Sequence, residues 1–458
     1  MTRRRLTLIL LAAVAVTLLV APDALAGAGG GSSGFGGGGG GGRGAGLYIL
    51  IQILIRIAIF GHGLGALILI GLIVLAFLFT RLAPRAQSAW ASQQTQGPAA
   101  RRRTQRRERR VTLAAAEAAE DDPAFSPDVV RPAAARLFKE IEAAWDAADR
   151  VRLRRLVAPE LLREWEVRLA DFERRGWRNR VEVVDEPVVE YVGLSHHGDQ
   201  TRDTVVVRIQ ARLRDVVQDA YGNLIKRRGR MSEIVSMREF WTLRRDDAGR
   251  WILASIEQGA EGAHSLEDQI IATPWSDEQG MRDQALVEGA VAEALPEDVA
   301  VTEVAKLDFD GEARAAALDL SLADGRFAPD VLEVAARRAV AAWARAVDGG
   351  KQELREIADP AAIAELLHPD DAAQSTRIVV RGPHVKEIQI TGLDPAARPP
   401  TMTVEVEVEG YRYLEDRRTA AVISGSRDRR TSFTERWTFA LDGDAEQPWR
   451  ISAVAPSR

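Results

Sequence analysis

The chain has no cysteine among its 458 residues, only six histidines, and aromatic residues at 6%. Without thiols there is no disulfide, no thiol nucleophile, no iron–sulfur cluster and no cysteine-ligated zinc, so stability has to come from packing. No Walker loop or HExxH helix is present. His196 and His197 fall together in the polar stretch SHHGDQTRD, which reads as a surface turn, and His264, His368 and His384 are scattered. No metal site, no cofactor and no catalytic residue is therefore expected.

The overall charge of -5 hides an asymmetry. Residues 1–110 hold fourteen Arg against only Asp23 and Glu108, a net +12, which leaves -17 on the remaining 348 residues. A basic, apolar, glycine-rich front is joined to an acidic globular back long enough for two domains.

The front reads as a membrane anchor. Arg3, Arg4 and Arg5 precede the apolar run Leu6–Val20, and Ala24-Leu25-Ala26 offers a small-residue cleavage site, so residues 1–26 form a signal peptide or a first membrane segment. Residues 27–46 contain fourteen Gly and read as a flexible tether. Residues 47–80 are apolar apart from Gln52, Arg56 and His62, and the cleanest span is 58–79. Gly61 and Gly65 would let two such helices approach as a homodimer. Nine Arg follow within residues 81–110, which assigns that side to the cytoplasm. The expectation is a cell-membrane protein, single-pass or two-pass if the signal is uncleaved, with an Arg-rich linker over 81–122. Arg101, Arg102, Arg103, Arg106, Arg107, Arg109 and Arg110 would contact anionic membrane lipids. A ribosome or nucleic-acid tether is the lesser reading of that run, because the acidic back repels phosphate.

The back is a repeat. Phe125-Ser126-Pro127-Asp128-Val129 returns as Phe327-Ala328-Pro329-Asp330-Val331, and Glu239-Phe240-Trp241-Thr242-Leu243 returns as Glu435-Arg436-Trp437-Thr438-Phe439. Order and spacing hold throughout, which predicts domains over 123–260 and 326–458 with a connector over 261–325. Each copy opens with a helix. In the first, Ser126 caps, Pro127 takes the first position, and Val129, Leu137, Ile141 and Trp145 share a face. In the second the face is Leu332, Ala336, Val340, Trp343 and Val347. A further helix over 160–175 ends at Gly176. Period-two runs follow, Val205 to Leu213 in one copy and Met402 to Val408 in the other, giving an α+β unit of helices followed by about four antiparallel strands. Arg208, Arg212 and Arg214 on one outer face and Glu405, Glu407 and Glu409 on the other raise the possibility that the two sheets pair; two separately solvated faces are the simpler reading.

A membrane segment, a glycine-rich stretch, a basic linker and a unit ending in EFWTL and RWILASIEQ together resemble the bacterial Tim44-like proteins, which are similar to the membrane-binding C-terminal domain of the mitochondrial import motor subunit. The resemblance is best over 125–258 and weaker over 327–458. It implies two tandem cone-like domains akin to nuclear transport factor two, each with an apolar pocket, and association with lipid or with translocating or membrane-associated proteins. The chaperone-recruiting region of the mitochondrial protein has no counterpart here, so motor function does not carry over.

Candidate pocket residues are Trp145, Tyr191, Glu239, Trp241, Trp343, Glu435 and Trp437. Strand alternation places Glu239 beside Trp241, and Glu435 beside Trp437, on the inward face. A carboxylate there needs a partner, for which an Arg from the helices is the first expectation. The function that follows is a membrane-anchored, non-enzymatic protein binding lipid, hydrophobic peptide or a membrane-protein partner, with protein translocation or membrane assembly as the expected setting. The rivals are a small-molecule enzyme with Glu239 in the pocket and the Arg-run tether.

Overall fold

The computed structural model describes residues 98–225, 234–294, 313–347 and 351–455. The signal segment, the glycine tether, the apolar run with Gly61 and Gly65, and the side chains of Arg101, Arg102 and Arg103 lie outside the described residues. Among the described residues no helix is long and apolar enough to cross a membrane.

The chain starts with α1 (Pro98–Asp121). Residues expected to be linker thus form a helix, and its C-terminal half belongs to the first domain: Val111, Ala115 and Ala118 recur at spacings of one helical turn and are buried in the first core. A one-turn 3₁₀ helix leads to α2 (Pro127–Asp146). Ser126 sits at its N-cap without a side-chain bond, and the buried stripe runs through Val130, Ala134, Leu137, Ile141 and Trp145. Val129, expected on that stripe, is 46% exposed, because Val130 takes the inward position. Short α3 (Arg150–Leu153) and α4 (Pro159–Arg174) follow, and Gly176, at φ +65, turns the chain after α4 as expected.

The first sheet comprises β1 (Arg178–Val183), β2 (Val188–Ser195), β3 (Thr204–Gln218), β4 (Ile234–Arg245) and β5 (Trp251–Gln258). The order is β1-β3-β4-β5, all antiparallel, with β1 on the C-terminal half of β3 and β2 on its N-terminal half. Val205, Val207, Ile209, Ala211 and Leu213 face inward, as their alternation predicts.

A 3₁₀ helix (Glu261–Leu266) and α5 (Glu278–Ala292) follow, then α6 (Ala313–Ser321). The expected connector is therefore largely structured, and both α5 and α6 contribute to the second core through Val287, Ala290, Ala317 and Leu320. The second copy continues with α7 (Pro329–Ala346), α8 (Gln352–Ile357) and α9 (Pro360–Leu367). All five positions of its expected apolar face are buried. Its sheet has β6 (Thr376–Asp394), β7 (Thr401–Asp416), β8 (Val422–Gly425), β9 (Thr431–Ala440) and β10 (Arg450–Ala455), in the order β10-β9-β7-β6 with β8 on β7.

The molecule thus contains two tandem α+β domains, each with helices against a curled antiparallel sheet of five strands rather than four. The copies differ where β1 and β2 of the first are replaced by the single long β6 of the second, which absorbs Pro383 at a register shift between Arg381 and His384.

Candidate functional site

Each cone is filled by its own aromatic side chains. In the first, Trp145 and Trp165 meet edge-to-face with centroids 5.5 Å apart, and Phe138 and Trp241 lie 5.3 Å apart. In the second, Trp343 packs on Trp437 at 6.0 Å. Trp145, Trp241, Trp343 and Trp437 are all at most 1% exposed, and Tyr191 is buried with its hydroxyl donating to the Phe125 carbonyl at 3.2 Å. The structure brings the candidate pocket residues inward, as alternation required, but as packed core. A surface pocket of about 490 Å³ is lined by Gln269, Glu278, Gln279 and Arg282, none of them among the seven.

Glu239 is 1% exposed, and the expected Arg from the helices is not its partner. One carboxyl oxygen accepts from Trp241 Nε1 at 2.8 Å and the other from Gln258 Nε2 at 3.3 Å. Burial pushes its carboxyl up to about 8 against the Trp241 hydrogen bond, with Glu261 adding to the rise. Within its electrostatic reach is a residue that sequence reasoning missed, Glu142 of α2. Neither of its carboxyl oxygens meets a hydrogen-bonding partner among the described residues, and burial, Glu239 and Asp215 push it far above the usual carboxylate range. Its signal in the sequence was a charge directly after Ile141 on the buried side of an amphipathic helix.

The second cone resolves the same position differently. Glu239 lies opposite Ile209, and Asp215 stands six residues further along β3; Glu435 lies opposite Val406, and Arg412 stands six residues further along β7. Arg412 Nη2 approaches Glu435 at 3.2 Å, so the carboxylate gains a cation from a neighbouring strand where the first cone has another acid. Counting from Pro127 and Pro329, the counterpart of Glu142 is Ala344.

The charged triplets on the outer faces do not pair with each other. Arg208 binds Glu190, Arg212 binds Asp185 at 2.9 Å and Arg214 binds Glu182 at 2.7 Å, while Glu405 binds Arg436 and Lys386 serves Glu407 and Glu409. The two domains instead grip one another through a buried polar cluster. Glu164 of α4 binds Arg417 at 2.7 Å and Arg377 at 3.4 Å; Glu415 binds Arg377 at 2.7 Å and Arg427 at 2.5 Å; Arg381 reaches Glu257 at 3.4 Å. Tyr413 donates its hydroxyl to Glu261 at 2.8 Å. Burial opposes ionisation of Glu164, but Arg377, Arg417 and Arg168 hold it down to about 2. His264, between Glu257 at 2.6 Å and Asp268 at 2.8 Å, is carried up to about 10 despite burial, chiefly by Glu257.

The Arg run divides. Arg106, Arg109 and Arg110 are exposed on α1, as a lipid-facing set requires. Arg107 is not available to lipid: it is 7% exposed and donates to the carbonyls of Val192 at 3.2 Å, Ser265 at 3.0 Å and Asp268 at 2.6 Å. It faces inward because it lies one helical turn before Val111 on the buried side of α1.

His196 is buried and bonded to Asp203 at 3.0 Å rather than lying in an exposed turn. Among the described residues no group of three or more His, Asp and Glu could hold a metal.

Comparison with known proteins gives a family. The model of the Tim44-like domain matches twice, over residues 111–258 and 311–456, which is well over half of the chain and takes in most of both cores. No curated protein matches the sequence. Among solved structures, the intermembrane space region of chloroplast protein ARC6 shares 11% identity at a TM-score of 0.19, covering 38% of this chain and 98% of that one. An Ntf2-like protein involved in plasmid conjugation shares 10% identity at a TM-score of 0.18, covering 72% and 96%. Scores of this size carry no argument about this chain. The family match does: the chain belongs to the Tim44-like family.

Proposed function

Starting from membership in the Tim44-like family, we propose that this is a membrane-anchored, non-enzymatic protein whose paired domains form a docking platform for a membrane-protein or translocating partner on the cytoplasmic side. The observation that carries the reading is the pair of Tim44-like domains, gripped together and preceded by an Arg-rich helix that follows a long apolar run in the sequence. Arg106, Arg109 and Arg110 would lie against anionic lipid, and the anchor would raise the local concentration of the platform at the membrane. Cones filled by their own tryptophans favour recognition on the outer surface over carriage of a lipid inside. Glu239, spoken for by Trp241 and Gln258, favours a structural part for that carboxyl over a base.

The test is photo-crosslinking in intact membranes from a reactive residue placed at Arg109 or Arg110 and on the outer sheet faces, with the full chain. Recovery of one defined membrane or translocating protein supports the reading. Extraction of the chain from membranes by alkaline carbonate, or loss of a small-molecule conversion on Glu239→Gln, would sink it.

A further inference from the structure

A single run of hydrogen bonds joins the inside of the first cone to the grip between the domains. Trp241 and the side chain of Gln258 both donate to Glu239. The backbone N–H of Gln258 donates to Glu261 at 3.0 Å, and Tyr413 of the second domain donates to the other oxygen of Glu261. Glu239, Glu261 and Tyr413 are each at most 2% exposed. Gln258, the last residue of β5, thus holds a cone carboxyl with its side chain and a grip carboxyl with its backbone.

We propose that Glu239, Gln258, Glu261 and Tyr413 form a proton-linked coupling between the first cone and its docked partner domain, so that loss of protons from the buried carboxyls loosens the cone and releases the grip together.

The surroundings set the direction. Glu239 faces Trp241, Gln258, Glu261 and Glu142, and Glu142 faces Asp215; among the described residues no cation pairs with Glu142 or Glu239. Glu261 faces Tyr413, Gln258, Glu257, Arg381 and Arg427, and burial pushes it up to about 7 against the two guanidinium groups. Undocking would return Glu261 to water and to its ordinary carboxylate range. Docking therefore takes up a proton, and it weakens as pH rises from the ordinary carboxylate range toward 7; the cone weakens in the same direction toward 8. Each carboxyl gives one proton to solvent, with no other reactant. In the second cone burial also raises Glu435, but there Arg412 opposes the rise.

The absence of cysteine allows a direct test in the full chain. Arg154→Cys and Gln389→Cys, both exposed and one in each domain, carry a fluorescence-transfer pair, while the indole N–H resonance of Trp241 reports Glu239. The opening constant should rise with pH by up to about tenfold per unit for each proton released. Glu261→Gln should flatten that rise. Tyr413→Phe should shift the Trp241 titration, and the same change in a Gln258→Leu background should not. A pH-independent distance, persistence of the rise in Glu261→Gln, or an equal Trp241 shift with and without Gln258 would each overturn the coupling. If Glu261→Gln does not fold, the Tyr413→Phe comparison decides alone.

Discussion

Arg107 of the first helix donates to the carbonyl of Asp268, 161 residues further on, at 2.6 Å, and so ties the helix that carries the exposed arginines to the segment that grips the second domain. Every acceptor is a backbone carbonyl. The guanidinium fork meets three backbone carbonyls, Val192, Ser265 and Asp268, in geometry that an ammonium point charge does not reproduce. Arg107→Ala should lower the stability of the first domain by about 2–3 kcal/mol, and Arg107→Lys should recover little of it. Urea unfolding followed by tryptophan fluorescence gives the comparison. A loss below about 0.5 kcal/mol would place Arg107 with the solvated arginines instead.

Glu142 sits in the first core with neither oxygen bonded among the described residues. Glu142→Leu should therefore stabilise the first domain, by roughly 1–3 kcal/mol, since it removes a polar group that burial penalises and keeps most of the volume. Differential scanning calorimetry would read this as a higher transition temperature. A lower one would mean that the carboxyl has a partner the packing does not reveal.

The grip should also weaken in acid, through a different carboxyl. Glu164 is held down to about 2 by Arg377, Arg417 and Arg168, so its contribution is complete above the ordinary carboxylate range and is lost as pH falls from there toward 2. Glu164→Gln should remove this acid limb from the domain-opening curve and leave the alkaline limb in place. An unchanged acid limb would assign it to another group.

Gly382 adopts φ +50 against His264, where a Cβ would come within 2.5 Å of the ring-bearing carbon atoms. Gly382→Ala should open the grip by about 1–3 kcal/mol while leaving each domain folded. Two separate unfolding transitions in place of one would show it; a single unshifted transition would not agree.

High salt should screen the outer ion pairs and spare the grip. The Arg214–Glu182 and Arg212–Asp185 pairs on the outer sheet are about half exposed and contribute little, whereas the Glu415 cluster is buried. Raising ionic strength should leave domain opening nearly unchanged, as fluorescence transfer would report. A steep salt dependence would point to a grip that water already enters.

Much of the architecture was legible from local pattern. The alternation from Val205 to Leu213 and from Met402 to Val408, the repeat of Phe125-Ser126-Pro127 as Phe327-Ala328-Pro329, and the inward side of Glu239 and Trp241 all follow from period and order, which a strand or helix imposes on any chain that must bury one face. Less visible was whatever depends on partners far apart in sequence. Val130 replaced Val129 inside because α2 is rotated by its packing, and the 81–122 stretch became partly domain because Val111, Ala115 and Ala118 found the first core.

The sequence by itself determined the two tandem Tim44-like units, the face of each strand and helix that turns inward, and the separation of a basic front from an acidic back, because composition and periodicity act through neighbours along the chain. Only the tertiary structure decided that the cones close on their own tryptophans, that Glu142 and Glu239 meet without a cation while Glu435 gains Arg412, and that the domains hold each other through Glu164, Glu261, Tyr413 and Glu415. The reason is physical: the energy of a buried charge is set by the groups that surround it in space, and no pattern along one strand or helix specifies which of them arrive.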